Sequence, residues 1–289
     1  MRHPRGVIQF ERPLIMGVIN ASPESFSDSP AEAAAAAAQR AEGALSMVDA
    51  GATVIDVGGQ SARTDQPEIA VVEEIHRVIP VITEIRRSSD VCISIDTYRA
   101  EVAQAALSAG ADIINDVSGL MDPALLEVVA RQRAGIVVMH TRLAPKVRLT
   151  REDHLYASPE EVVDDVVGFL SQRITMLTDA GVDAEQIVVD PGPDFAKTPA
   201  QTVAVLSRID EVASLGRPVL LALSRKDFVG AATRRPPRDR SAGTLAAIGY
   251  CIERAPCSVL RVSTSARPRT SSRPSTCSTG DGSSRGTSP

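Results

Sequence analysis

Eight short runs of Val, Ile, Leu, Met and Ala recur along the chain, at 14–19, 53–57, 91–95, 112–114, 135–139, 186–189, 217–223 and 257–262. Each is nearly continuous in apolar residues rather than alternating with polar ones. A strand covered on both faces must read that way, and such strands belong to parallel sheets joined by crossover helices. Seven helical stretches lie between the runs, at 31–50, 68–88, 99–108, 123–133, 159–180, 199–214 and 240–253, with Gly51, Gly110, Gly135 and Gly181 at or just after plausible helix ends. Length alone would allow two domains in 289 residues, but α/β barrels run to about 250 residues as one unit. The repetition predicts an α/β chain folded as a single (β/α)8 TIM barrel over residues 1–262.

The segment 263–289 breaks this rhythm. It is rich in Ser, Thr, Arg, Pro and Gly and holds no Val, Ile, Leu or Phe. Nothing in it can offset the entropy of ordering, so it reads as a disordered tail, and the barrel is expected to lack its eighth helix. The run Ala33–Ala38 is the opposite case. Ala is the strongest helix former and the run continues into Leu45, Met47 and Val48, so it reads as a barrel helix rather than a linker.

With 3% aromatic residues and no Trp, the core must be aliphatic, and no stacking platform for nucleic acid is available. A net charge of −5, from 31 basic and 36 acidic residues, gives no global pull toward nucleic acid or anionic lipid. No apolar run reaches the ~18 residues of a membrane span, and residues 1–12 lack the apolar stretch of a signal peptide. The expected location is the cytoplasm. Cys92, Cys251, Cys257 and Cys277 form no CxxC pair or ligand cluster, which fits reduced structural thiols.

Barrel enzymes draw their reactive groups from the C-terminal ends of the strands and the loops beyond. In chain order these ends are Asn20; Asp56 with Gly58 and Gly59; Asp96; Asn115 and Asp116; His140; Asp190; Ser224, Arg225 and Lys226; and Arg261. Caps and turns account for any one strand-end Asp or Asn, but poorly for all of them together. Acidic and amide groups converging on one mouth imply a ligand with complementary donors and acceptors. Arg63, Lys226 and Arg261 supply positive charge for an anion. Asp56 reads as an anchor for the Gly58-Gly59 turn outside the site, and Asp116 and Asp194 stay ambiguous. Lys197 reads as a surface charge beside Pro199, and His140 as a structural residue donating to a neighbouring carbonyl.

Three segments go beyond composition: MGVINASPESFSD at 16–28, SIDTYRAEVAQAALSAGADIINDVSG at 94–119, and VVDPGPDFAKT at 188–198 with LALSRKDFVG at 221–230. Over 14–262 the chain closely resembles the dihydropteroate synthases. The resemblance implies condensation of 6-hydroxymethyl-7,8-dihydropterin diphosphate with p-aminobenzoate, releasing pyrophosphate, by a cytoplasmic, commonly dimeric barrel that uses Mg²⁺. It further implies that Asp96, Asn115, Asp190 and Lys226 hold the pterin, with Met139 packing nearby and Arg261 over the ring. Asn20 would face the metal, Arg63 the diphosphate or the aminobenzoate carboxylate, and Phe195 and Ser224 would flank the aminobenzoate. Asp96, Lys226 and Arg63 are the residues expected to carry the reaction. The chemistry suits them, because a pterin edge alternates amino, carbonyl and ring nitrogen groups, and carboxylates and amides pair with such an edge.

Departures from the family pattern fall on the anion side. Gln60-Ser61-Ala62-Arg63-Thr64 stands where the family usually has Glu-Ser-Thr-Arg-Pro, Ala222 where Gly is common, and Ser263 where strand eight normally continues Arg-Val-His. Losing two hydrogen bonds to a charged group, at roughly 1.5–3 kcal/mol each, would weaken diphosphate binding by about two to four orders of magnitude if uncompensated. Two other readings therefore stay open: an inactive pterin-binding paralogue, and a methyltetrahydrofolate-binding methyltransferase subunit. Retention of Asn20, Arg63 and Lys226 argues against the second.

Overall fold

The computed structural model describes residues 1–22, 30–61, 66–147, 156 and 158–262. Arg63, Ala62 and the segment from Ser263 onward lie outside the described residues. Two short strands, β1 (Arg2–His3) and β2 (Gly6–Val7), pair as an antiparallel hairpin. The barrel then follows as β3 (Leu14–Asn20), α1 (Pro30–Asp49), β4 (Val54–Gly58), α2 (Val71–Ser88), β5 (Cys92–Asp96), α3 (Ala100–Ser108), β6 (Ile113–Asp116), α4 (Pro123–Gln132) and β7 (Gly135–Met139). It continues with α5 (Pro159–Asp179), β8 (Ile187–Asp190), α6 (Pro199–Ser207), α7 (Ile209–Ala213), β9 (Val219–Leu221), α8 (Asp227–Thr233), α9 (Ser241–Arg254) and β10 (Ser258–Val262). The strands close in the order β10-β3-β4-β5-β6-β7-β8-β9, every pair parallel.

The expectation of a barrel short of a helix is corrected. β10 pairs with β3 over four residues and with β9 over three, so the barrel is complete and closed. Nine α-helices stand among the described residues rather than the seven read from the sequence. Two local events account for the difference. The stretch read as one helix over 199–214 leaves helical geometry at Arg208 (φ −114°, ψ 33°), which separates α6 from α7. The second is α8, whose seven residues are too few to show a helical period. Its start is fixed from outside, because the Asp194 carboxylate accepts the backbone N–H of Asp227 at 2.6 Å.

The helices that were legible owe it to caps and amphipathic faces. Asp122 accepts the Ala124 N–H ahead of α4 with Pro123 in its first turn, and Thr198 and Gln201 form a reciprocal capping box on α6. α2 turns Val78, Val81, Ile82 and Ile85 onto the barrel. No described helix is long and apolar enough to cross a membrane.

The N-terminal end of the barrel is shut by the hairpin. Met1, Ile8 and Phe10 pack against the lowest interior layer. Beneath them Asp112, fully buried, accepts from Arg5 Nε at 2.7 Å, Arg86 Nη2 at 2.8 Å and the Ile93 N–H at 2.9 Å, with His3 Nδ1 at 3.2 Å. Burial alone would raise its pKa; those four partners together hold it below the usual carboxylate value. Asp112→Ala strands two guanidinium groups and a buried N–H. Because both arginines keep some water contact, the expected loss is about 2–4 kcal/mol, read by urea unfolding. A lowered folded-state pKa adds stability that is present above the ordinary carboxylate pKa of about 3.9 and is lost as pH falls below it. The acid side of the wild-type stability profile should therefore be steeper than that of the variant.

Candidate active site at the C-terminal mouth of the barrel

In a closed barrel every second residue of a strand points to the axis. Leu14, Met16, Val54, Cys92, Ile113, Val137, Val188, Leu220 and Val259 fill the lower interior. Two residues further along their strands, the same inward parity delivers Asp56, Ser94, Asn115, Met139, Asp190, Ala222 and Arg261. Another two bring Gly58 and Asp96. Strand register then sets Asn20 beside Gly58, Gly58 beside Asp96, Asp96 beside Asn115, and Met139 beside Asp190. The axis passes from aliphatic to ionic within one pleat.

At the centre of this layer lies Arg261. Its Nε donates to Asp56 Oδ2 at 2.7 Å and its Nη2 to Asp96 Oδ2 at 2.6 Å, while Asn115 Nδ2 donates to the same Asp56 oxygen at 3.2 Å. Asp56 is wholly buried, and its Oδ1 has no hydrogen-bond partner among the described residues. One guanidinium thus serves two carboxylates. Burial pushes Asp96 up to about 7; Arg261 opposes the rise and Asp56 adds to it. Asp56 therefore belongs to the site, not to the turn after it. Parity could have found it, since Asp56 follows Val54 by two as Asn115 follows Ile113.

The second half of the mouth is built on the segment between β8 and α6. Asp190 Oδ1 accepts the Gly192 N–H at 2.7 Å, and burial raises the Asp190 pKa. Lys226 Nζ donates to the Pro193 carbonyl at 2.5 Å and stands 4.7 Å from the centroid of the Phe195 ring. Burial lowers the Lys226 pKa to about 8, with Asp190 pulling the other way. Ser224, partly exposed, lies three residues beyond the end of β9. Met139 is buried at the end of β7.

Two expectations are corrected behind this segment. Lys197 is not a surface charge but is 4% exposed, with Nζ 2.8 Å from His140 Nδ1, 3.1 Å from the Gly192 carbonyl and 3.2 Å from the Phe195 carbonyl. His140 does not donate to a carbonyl. Its Nε2 lies 2.9 Å from Asp165 Oδ2, and with Lys197 donating to Nδ1 the Nε2–H tautomer is the one that satisfies both contacts. Asp165 also accepts from Tyr156 at 2.6 Å and from Arg142 Nε at 2.8 Å. The ambiguous acids resolve as loop staples: Asp116 accepts from Ser118 and Leu120, and Asp194 from Thr202 and the start of α8.

On the β3 and β4 side, Asn20 ends its strand exposed, with Oδ1 accepting the Ser22 N–H at 3.0 Å. That oxygen keeps a second lone pair. A lone amide oxygen fits a hard cation that arrives on a diphosphate and keeps its waters, rather than an all-protein cage. A His3, Cys92 and Asp112 group, its ligand atoms within 4.8 Å of one another, also has metal-ligating residue types. It sits at the opposite end of the barrel, where Arg5 and Arg86 occupy the carboxylate and burial keeps the thiol protonated. Arg63 falls outside the described residues, but the start of its loop is fixed. Gln60 donates to Tyr98 Oη at 2.9 Å and accepts the Ile69 N–H at 2.8 Å, while Tyr98 donates to Glu68 at 2.7 Å. The amide at position 60 both donates and accepts, which an ionised carboxylate there would not.

A parallel barrel with this mouth falls in the class of pterin-binding enzymes, whose family model matches residues 16–263. Among curated proteins the chain is 39% identical over 236 residues to a dihydropteroate synthase of Synechocystis sp., covering 81% of this chain and 79% of that one. It is 38% identical over 260 residues to that of Bacillus subtilis, covering 90% and 86%. Among solved structures, Xanthomonas albilineans dihydropteroate synthase with 4-aminobenzoic acid superposes with a TM-score of 0.77 at 34% identity, covering 88% and 89% of the two chains. The Burkholderia cenocepacia enzyme complexed with 7,8-dihydropteroate gives 0.77 at 35%, covering 90% of each. The chain belongs to the dihydropteroate synthase family.

Gly192 is the backbone position on which this mouth is least forgiving. Its φ is +63°, and a Cβ there would come within 2.2 Å of the His140 carbonyl oxygen. Gly192→Ala is expected to destabilise the protein by about 2–4 kcal/mol through left-handed strain and the displaced strand end, measured as a fall in Tm.

Proposed function

We propose that the chain condenses 6-hydroxymethyl-7,8-dihydropterin diphosphate with p-aminobenzoate, forming 7,8-dihydropteroate and pyrophosphate, in the cytoplasm and as a homodimer. The observation that carries the reading is the axial cluster of Asp56, Asp96, Asn115 and Arg261, with Met139 and Asp190 paired at the ends of their own strands, in a chain that belongs to this family. Relatives that superpose on it hold 4-aminobenzoic acid or 7,8-dihydropteroate.

In this reading Asp96 and Asp190 accept from the amino and ring N–H groups of the pterin, and Asn115 both donates and accepts along the same edge. Met139 packs beside the ring and Arg261 covers it. The arylamine nitrogen, neutral at pH 7, attacks the exocyclic methylene carbon. The carbon–oxygen bond to the diphosphate breaks, pyrophosphate leaves with that electron pair, and the amine proton passes to solvent. Lys226, beside Asp190, donates to the pterin, and Arg63 meets the diphosphate, where it offsets negative charge collecting on the leaving group, or the aminobenzoate carboxylate. Phe195 and Ser224 flank the aminobenzoate. Asn20 would hold Mg²⁺ on the diphosphate side, where the ion supplies charge neutralisation of the leaving group.

Pyrophosphate release from pterin diphosphate, p-aminobenzoate and Mg²⁺ tests the assignment. Asp96→Asn and Lys226→Met should each lower kcat/KM by roughly 10- to 100-fold, the worth of a hydrogen bond to a charged group. Pterin binding without aminobenzoate-dependent release would instead identify a non-catalytic binder, the reading that Ala62 and Ser263 motivate. Ser263→His restores the family's residue and should raise kcat/KM by about tenfold if the diphosphate contact is what the chain lacks.

Asp96 also gives the site a pH dependence. With its pKa near 7 in the free protein, an acceptor role requires loss of its proton. Pterin affinity should therefore rise from pH 6 to pH 8 in the wild type, and flatten over that range in Asp96→Asn when followed by calorimetry.

A further inference from the structure

The cluster of Lys197, His140, Asp165, Arg142 and Tyr156 has no part in the chemistry above. It is nevertheless joined to the site through the segment between β8 and α6. Lys197 lies beneath residues 190–197 with its ammonium among four acceptors: His140 Nδ1 at 2.8 Å, the Gly192 carbonyl at 3.1 Å, the Phe195 carbonyl at 3.2 Å and the His140 carbonyl at 3.4 Å. Two of these, the Gly192 and Phe195 carbonyls, are backbone oxygens of the turn that presents Phe195, and a third is the His140 carbonyl just beyond β7. The segment bends through left-handed backbone at Gly192 (φ +63°), Asp194 (+61°) and Ala196 (+49°), which carries a steric cost for the two non-glycine residues. Such a path persists only when its surroundings over-determine it.

The fourth acceptor ties the lysine to the barrel. His140 continues β7; its ring nitrogens bridge Lys197 and Asp165, and its ring meets Phe169 edge-on at 5.0 Å. Asp165, on α5, is held by Tyr156 and Arg142 as well. Burial lowers the His140 pKa to about 4, so the ring is neutral and keeps a lone pair for a lysine N–H, and burial also lowers Lys197, to about 7. α5 is thus connected through one histidine to the underside of the turn that carries Phe195 and the Pro193 carbonyl on which Lys226 rests.

We infer that Lys197, set by His140 and Asp165, is a positioning residue that fixes the Phe195 turn and thereby chiefly the aminobenzoate half of the site, the pterin half being held mainly by the axial cluster. The inference rests on the proposed reaction, since it assigns Phe195 to the aminobenzoate. A purely structural lysine would affect both halves alike or neither. A positioning role predicts unequal losses, because Asp56, Asp96, Asn115 and Arg261 hold one another without help from this segment, and of the pterin-side groups only Asp190 and Lys226 meet it, through the Gly192 N–H and the Pro193 carbonyl.

Calorimetric titration of the full chain with two ligands reads the split. 6-Hydroxymethyl-7,8-dihydropterin diphosphate reports the pterin half, and 7,8-dihydropteroate reports both halves. Lys197→Met should weaken 7,8-dihydropteroate by roughly tenfold or more and the diphosphate by no more than about threefold, tenfold being the loss of about one net hydrogen bond. His140→Asn keeps an acceptor near the Nδ1 position but severs the link to Asp165. It should give a smaller split in the same direction, and it decides the matter alone if Lys197→Met does not fold. Equal weakening of both ligands, or of neither, would overturn the positioning role. A wild-type chain that binds neither ligand would overturn the proposed reaction itself, and the two failures are told apart by that control.

Discussion

Every second side chain of a strand in a closed parallel barrel is forced toward the axis, and the axis has room for only a few side chains at each level. Here that constraint is met by aliphatic residues at the bottom and by charged ones at the top. The charged layer is possible because one guanidinium, Arg261, is shared between Asp56 and Asp96 and is itself surrounded by strands. An isolated carboxylate at either position would face desolvation without compensation. The unpartnered Oδ1 of Asp56 and the elevated pKa of Asp96 mark what remains unbalanced. A polar heterocycle entering the mouth would find acceptors already fixed in place, which is the meaning of preorganisation in a binding site.

The same arrangement divides labour between rigid and adjustable parts. The groups proposed for the pterin stand mostly on strands, and their geometry follows from strand register. Phe195, proposed for the aminobenzoate, stands on the segment after β8, whose path is held by side-chain contacts from below: Lys197 to backbone carbonyls, Asp194 to Thr202 and α8. A site on strands is positioned by the barrel itself. One on a loop needs its own supports, and the buried Lys197 and His140 supply them.

Much of this was legible in the chain. The eight apolar runs fall on the eight barrel strands, and caps such as Asp122-Pro123 and Thr198 to Gln201 mark helix starts. Strand-end polarity and the family resemblance single out Asp96, Asn115, Asp190, Lys226 and Arg261, and the structure gathers these at one mouth. The misses have identifiable causes. α8 and the hairpin of β1 and β2 are shorter than the periods that would reveal them. The break at Arg208 interrupts a pattern that stays apolar on both sides. Asp56 reads as a turn anchor because Gly58 and Gly59 follow it, although inward parity outweighs turn chemistry within a strand. Lys197 follows Asp194-Phe195-Ala196 and precedes Thr198-Pro199, a loop context that resembles surface sequence and carries no trace of the acceptors around its amine.

The amino-acid sequence by itself determined the alternation of strand and helix, the aliphatic core and the placing of polar groups at strand ends, because these depend on local period and residue type. Only the tertiary structure decided which charges meet. Arg261 reaches Asp56 and Asp96 across 205 and 165 residues of chain, and Lys197 reaches His140 across 57. Such pairings follow from barrel closure and strand register, which are properties of the whole assembly and leave no mark on any short stretch of residues.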